Sequence, residues 1–200
     1  MGYGDAARIK TRSGVSYSDL GLTDEAALTT LISDLNDQAS EMVDDYCGRD
    51  FEQHGTVETP VIEKLDGNGR EKIRLPGFPV ISVSAVILDG EVLTRGTDYD
   101  LLAASGILER VDFGVWRSGK RNLEVEYVYG YAPPPASIIG VVEDMVAGGL
   151  THAARNRAVK GASSMSMDGF SVAYTELARN LVLAPEQMVI LDRHRVTGGT

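Results

Sequence analysis

The chain has 200 residues, 43% hydrophobic and 24% charged, which excludes a fibrous or wholly disordered protein. A chain of this length buries roughly 70% of its unfolded surface without a metal or disulfide staple, and its single cysteine, Cys47, rules out an intrachain disulfide. A formal charge of −10 excludes a strong general binder of duplex phosphate, because affinity there comes from Lys and Arg displacing counterions.

The chain opens on Met1-Gly-Tyr-Gly-Asp5, with no apolar core of a signal peptide. Ala6 breaks the myristoylation pattern. Residues 1–22 are rich in Gly, Ser and short polar side chains and are expected to form a loose arm. A long helix is expected from about Asp24 to Cys47, with Thr23 as N-cap and Gly48 as the terminating C′ residue. Leu28, Leu31, Ile32, Leu35, Ala39, Met42, Val43 and Tyr46 fall on one arc of roughly 120°. Asp34, Asp37, Glu41, Asp44 and Asp45 fall opposite, and Asp19 to Asp45 holds eight acids and no base.

The middle third changes to a period of two. Ile81, Val83, Ala85 and Ile87 alternate with Ser82, Ser84 and Val86, and Asp89-Gly90 then supplies the pair that a two-residue type I′ hairpin requires. Glu91–Leu93, Gly106–Val111 and Leu123–Tyr129 read as further strands, giving a compact β region of five or six strands over about 57–131. Asp66-Gly-Asn-Gly69 reads as a hairpin turn. It lacks the alternating acids and terminal Glu of a calcium loop, and it runs between strands rather than from strand to helix as a dinucleotide fingerprint would.

Pro133-Pro-Pro135 ends the β region. A second long helix is expected from Ala136 to about Val159, with Ile138, Ile139, Val142, Met145, Val146 and Leu150 on one face. Gly148-Gly149 weakens it by about 1 kcal/mol per Gly and predicts close packing or a kink. Residues 161–169 form a soft segment, Phe170–Tyr174 a short strand, and Pro185 the N1 position of a last helix over about 185–195. The sum is an α+β fold: a long N-terminal helix, an inserted compact antiparallel β region, a second long helix and a short C-terminal helix. In domain terms this is an arm over 1–22, one body over 23–183, and a C-terminal docking helix and tail over 184–200.

Candidate chemistry is sparse. His54, His152 and His194 show no metal-ligand spacing. Cys47 lies beside Asp44 and Asp45, whose charge raises a thiol pKa and opposes nucleophilic use. Paired acids such as Asp44/Asp45 and Glu143/Asp144 are what 29 acids supply by chance. No GxxxxGK[ST] and no GxSxG occurs. Basic residues gather at Arg117, Lys120 and Arg121, at Arg155, Arg157 and Lys160, and at Arg193 and Arg195. The last pair, on a terminal helix before a tail, suits docking onto a partner. No apolar run approaches a membrane span.

Several stretches, in order, carry a family likeness. Val43-Asp-Asp-Tyr-Cys-Gly-Arg-Asp-Phe51 matches a helix ending in a Tyr-x-Gly-Arg-x-Phe corner, and Leu75-Pro-Gly-Phe-Pro-Val-Ile-Ser-Val83 an LP-x-x-PV-x-SV strand start. Asp89-Gly90, Asp98-Tyr99, Trp116, Val125-Glu-Tyr-Val-Tyr-Gly-Tyr-Ala132, Pro135 and the serine-rich Ser164–Tyr174 follow. Over roughly residues 24–175 the chain resembles the gp6-like head–tail connector (adaptor) proteins of tailed bacteriophages. Its β block is longer than in the mostly helical members.

The resemblance implies a structural, non-catalytic virion protein that needs no cofactor. It implies a homo-oligomeric ring, usually of twelve subunits, beneath the portal protein. That ring joins the portal to a neck stopper or tail-completion protein and passes duplex DNA through its centre without reading its sequence. Manufacture in the host cytoplasm and residence in the virion neck follow, with no membrane partner. The C-terminal segment, about Leu183–Thr200, maps onto the portal-engaging part of the family, which makes Met188, Ile190, Leu191, Arg193 and Arg195 portal-docking candidates. Asp34, Asp37 and Glu41 are the DNA-channel candidates, since an acidic wall repels phosphate and lets DNA slide. Residues 1–22, 161–169 and 192–200 are expected to become ordered on assembly. The rival readings are another neck part, a stopper or tail terminator, and a small hydrolase or binding enzyme.

Overall fold

The computed structural model describes residues 2–111, 113–160 and 181–196. The chain forms two compact units: Met1–Asp50 with Pro134–Thr200, and Phe51–Pro133. The first is helical and the second is built of strands, so the fold is α+β with the strand region inserted into the helical one.

The helical unit contains α1 (Ala6–Ser13), α2 (Tyr17–Leu20), α3 (Glu25–Cys47), α4 (Ala136–Lys160) and α5 (Pro185–Leu191). Residues 6–20 thus form two helices in place of the expected loose arm. Local chemistry sets both: Asp5 accepts from the Arg8 N–H at 2.8 Å, and Ser16 and Asp19 form a capping box ahead of α2. Three apolar residues in this otherwise polar stretch, Ile9, Val15 and Leu20, are buried and fasten it. At α3 the cap is Asp24, one residue later than expected, and it accepts from the Ala27 N–H at 2.8 Å. Gly48 ends α3 in the left-handed region, as the sequence predicts.

The apolar arc of α3 is buried at Leu28, Leu31, Ile32, Leu35, Ala39 and Val43, and each of the leucine, isoleucine and valine side chains contributes on the order of 1.5–3 kcal/mol. Met42 and Tyr46 are half-buried. Asn36 and Ser40 are buried too, because the backbone of residues 3 and 4 lies on them: Ser40 Oγ accepts from the Tyr3 N–H at 2.9 Å. Among the described residues, helix α4 packs against α1, α2, α3 and α5, which is why its burial runs beyond the expected face to Val141, Glu143 and Ala147. Gly149 is buried and faces Leu181, whereas Gly148 is exposed with open space around it, so close packing explains only one of the pair.

Among its described residues the strand unit has seven strands in two antiparallel sheets. The first has the order β1-β7-β3-β4, with β1 Val61–Gly67, β7 Gly119–Tyr129, β3 Val80–Leu88 and β4 Glu91–Val92. The second has the order β2-β6-β5, with β2 Lys72–Arg74, β6 Ile107–Arg110 and β5 Tyr99–Leu102. Asp89-Gly90 forms the expected tight turn, with positive φ at both residues and Leu88 opposite Glu91. Asp66–Gly69, expected to be a hairpin turn, instead carries the chain from β1 in one sheet to β2 in the other.

The strict alternation expected in β3 fails as well. Register shifts between Val80 and Ser82 and between Val83 and Ala85 change which face each residue presents. Val80, Val86 and Leu88 are buried, and Ile81 is half exposed. Both sheets feed one core of Ile73, Leu75, Val80, Val86, Leu88, Tyr99, Leu108, Trp116, Leu123, Val125 and Tyr127. Trp116 is fully buried, and its indole N–H donates to the Glu71 carbonyl at 3.0 Å and the Leu108 carbonyl at 3.2 Å.

Candidate docking surfaces

The described part of the C-terminal segment, through Val196, is bound down at several points. Leu191 is fully buried, and its carbonyl accepts a long 3.8 Å contact from the Cys47 thiol. The Val196 N–H donates to the Cys47 carbonyl at 2.9 Å, and the Tyr46 hydroxyl donates to Asp192 at 2.8 Å. The Arg195 guanidinium sits 5.5 Å from the centre of the Tyr46 ring. His194 pairs with the Ser137 hydroxyl at 3.0 Å, at the start of α4. Burial, then the charges of Arg49 and Arg193, hold the His194 pKa below its ordinary 6.5. The segment is therefore a strap across the end of α3 and the start of α4, and α5 stops at Leu191 rather than near residue 195.

This corrects one docking candidate. Leu191 belongs to the core of the helical unit and offers no side chain to a partner. Met188 and Ile190 are half-buried, Arg193 and Arg195 are exposed, and Val189, passed over at the sequence level, is 61% exposed. Leu191 looked exposed because a seven-residue helix is too short for its periodicity to separate faces.

Along α3, Asp37 and Glu41 are exposed and Asp34 is half-buried, so the three channel candidates share one outward strip. Asp44 leaves that strip, since both its carboxylate oxygens accept from the Tyr3 hydroxyl at 2.8 Å. Cys47 is fully buried, and desolvation first, then Asp44, raises its thiol pKa from 9.0 to about 11. His54 stacks on Tyr129 at 4.7 Å, and His152 pairs with Asn156 at 3.1 Å. Among the described residues no group of three or more His, Cys, Asp or Glu is placed to hold a metal ion, and no helix is long and apolar enough to cross a membrane. The short strand expected at 170–174 and the soft segment 161–169 lie outside the described residues.

Two of the stretches that carry the family likeness meet in the strand unit. The Gly77 N–H donates to the Tyr127 hydroxyl at 3.1 Å, and the Gly130 N–H to the Pro79 carbonyl at 2.8 Å. The ring of Tyr129 lies where a Cβ on Gly77 would be, 2.5 Å away, and a Cβ on Gly130 would fall 1.9 Å from the Glu52 carbonyl oxygen. Gly130 also holds φ at 98°, so glycine is required there twice over. Burial raises the Tyr127 pKa above its ordinary 10 despite that N–H, so the hydroxyl stays protonated and acts as a structural hydrogen-bond partner.

Two features escaped the sequence reading. Glu143, counted there among chance acid pairs, is a buried carboxylate held by Arg12 at 3.2 Å and by the Asp5 N–H at 3.3 Å. The second is a groove beside β2 whose signal, Arg70-x-Lys72-x-Arg74, was present at strand spacing but not singled out.

No protein-family model matches the chain, and no curated protein matches it significantly. Among solved structures it is similar to a chain in the neck of the empty GTA particle computed with C6 symmetry. That match has 13% identity and a TM-score of 0.46, over 99% of this chain and 92% of the other. A chain in the neck of the native particle computed with C12 symmetry gives 13% identity and 0.42, over 88% and 85%. One in the virion of the native gene transfer agent (GTA) gives 15% and 0.40, over 90% and 89%. At these scores the role rests on the chain's own residues.

Proposed function

We propose that this chain is a structural protein of a tailed-virus neck, a head–tail connector (adaptor) that assembles as a ring beneath a portal and continues its DNA channel. The observation that supports this reading is the contact between two stretches of the likeness: Leu75–Val83 and Val125–Ala132 are tied by the Gly77–Tyr127 and Gly130–Pro79 bonds. Residues that resemble the family's motifs in order along the sequence thus act together in one folded unit, while the Tyr46–Arg49 corner closes α3 at Gly48 in the other.

In this role the protein works by shape. A ring sets two different flanks of neighbouring copies against each other and closes when the rotation divides a full turn. The strip of Asp34, Asp37 and Glu41 borders the channel and repels phosphate. The exposed Arg193 and Arg195, with Val189 and the half-buried Met188 and Ile190, meet the portal. A stopper or tail-completion protein takes the opposite rim.

Light scattering of the full chain, alone and with portal protein, tests the assignment, followed by electron microscopy of the complex. A closed ring on the portal supports it. Failure to bind any virion component, together with absence from purified particles, overturns it. A map placing Asp34, Asp37 and Glu41 on the outer rim refutes the channel strip alone, and portal affinity unchanged in Arg193→Glu/Arg195→Glu refutes the docking assignment alone.

A further inference from the structure

We propose that the open edge of β2 takes an extended acidic segment of a partner protein as an added strand. This rests on the strand unit alone and does not depend on the ring reading. In the β2–β6 ladder, Arg110 donates to Glu71 and Leu75 donates to Gly106. With Ile73 opposite Leu108, antiparallel alternation turns the backbone groups of Glu71, Ile73 and Leu75 toward β6. Those of Lys72 and Arg74 face the other way, where the sheet order ends. Asn68 Nδ2 donates to the Lys72 carbonyl at 2.9 Å, and among the described residues the Lys72 N–H and both Arg74 backbone groups are left for an incoming strand.

Beside that edge lies an open groove of about 590 Å³, lined by Asn68, Arg70, Glu71, Lys72, Arg74 and the apolar Ile73 and Ile107. Its lining carries three cations and one acid on a chain whose formal charge is −10. Lys72 is paired with Glu109 at 3.0 Å, and the Arg74 guanidinium lies 4.6 Å from the centre of the Phe78 ring. Charged side chains on an edge strand discourage unwanted pairing; cations do so against basic strands while attracting acidic ones. Main-chain bonds then supply affinity, and side chains alternate: acidic ones on the face that carries Lys72 and Arg74, apolar ones toward Ile73 on the other face.

The test titrates a fluorescein-labelled octapeptide of alternating glutamate and valine into the full chain, with a lysine–valine octapeptide as control. The glutamate peptide is expected to bind at least about tenfold more tightly than the control, more weakly as salt rises, and to slow exchange of the Lys72 and Arg74 amides. Lys72→Pro removes an N–H that faces away from β6, so the ladder is kept while binding falls about tenfold. Arg70→Glu/Arg74→Glu, at two exposed positions, gives the same loss independently of any effect of proline on folding. Equal binding of the two peptides, no binding at millimolar concentration, or binding unchanged in a folded Lys72→Pro protein overturns the proposal. Self-association of the wild type that Lys72→Pro abolishes assigns the edge to a second copy and overturns it as well.

Discussion

Asn36 and Gly4 hold each other by two hydrogen bonds: the Asn36 side-chain amide donates to the Gly4 carbonyl at 2.8 Å, and its oxygen accepts from the Gly4 N–H at 2.9 Å. One side chain on α3 thereby imitates a neighbouring strand and satisfies both backbone groups of a residue outside any helix. Asn36→Leu keeps the volume and removes both bonds. It is expected to destabilise the protein by about 1–3 kcal/mol and to raise exchange at the Gly4 amide. Urea melts and hydrogen exchange read the two effects, and unchanged protection at Gly4 would refute the arrangement.

Glu143 is 2% exposed, and Arg12 at 3.2 Å is its nearest cation, with Arg8 at 4.0 Å. Arg12→Met leaves a buried carboxylate short of a partner and is expected to cost about 1–3 kcal/mol, below the range for a wholly buried pair because Arg12 itself is 43% exposed. Glu143→Gln in the Arg12→Met background recovers part of that loss. A double-mutant cycle measures the coupling, and additive costs would show that the pair does not interact.

Two titrations act on the strap in opposite pH ranges. The Cys47 thiol pKa is raised to about 11, so the folded state favours the protonated form; its contribution is complete below 9 and is lost as pH rises toward 11. His194 is shifted the other way, so its contribution is present above 6.5 and is lost as pH falls through its depressed folded value. Exchange at the Val196 amide, which donates to Cys47, is expected to report loosening at both extremes beyond its intrinsic pH dependence. Cys47→Ser removes the alkaline limb and His194→Gln the acid one; persistence of a limb in its variant would count against that assignment.

The glycines give predictions of opposite sign. Gly148 is exposed in the interior of α4, with nothing within 4 Å of an added Cβ. Gly148→Ala is expected to raise stability by about 0.5–1 kcal/mol. Gly130→Ala meets the Glu52 carbonyl and a forbidding φ at once, and is expected to unfold the strand unit or cost several times that gain. Thermal melts of the two variants check both signs.

The long helices were legible because their signals are local and redundant: Gly48 stops α3 whatever surrounds it, and its apolar arc repeats six times among buried residues. Asp89-Gly90 was legible for the same reason. What the sequence hid depends on partners far along the chain. Ile9, Val15 and Leu20 are single apolar residues in a polar stretch, too sparse to set a period, yet they fasten α1 and α2. Glu143 reads as a surface acid until Arg12, more than a hundred residues away, meets it. Bulges in β3 reverse the faces that strict alternation assigns, and no local rule separates Leu191 from its neighbours on so short a helix. Among the candidate residues, Asp37 and Glu41 are exposed and Asp34 half-buried, Asp44 is drawn to Tyr3, and Leu191 is core because a short helix gives its period no room to show.

The bridge between His54 and Tyr129 has a consequence for how such a chain can change over time. Each donates to the other, at 2.8 and 3.2 Å, just inside the points where the strand unit begins and ends. The two ends of an 83-residue excursion are thereby stitched side by side, one strand spacing apart. A helical scaffold interrupted in this manner experiences the whole inserted block as if it were one tight turn. Lengthening, trimming or exchanging what lies beyond the stitch leaves the ends of the excursion paired, which makes this junction the natural seam for grafting a different strand unit into these helices.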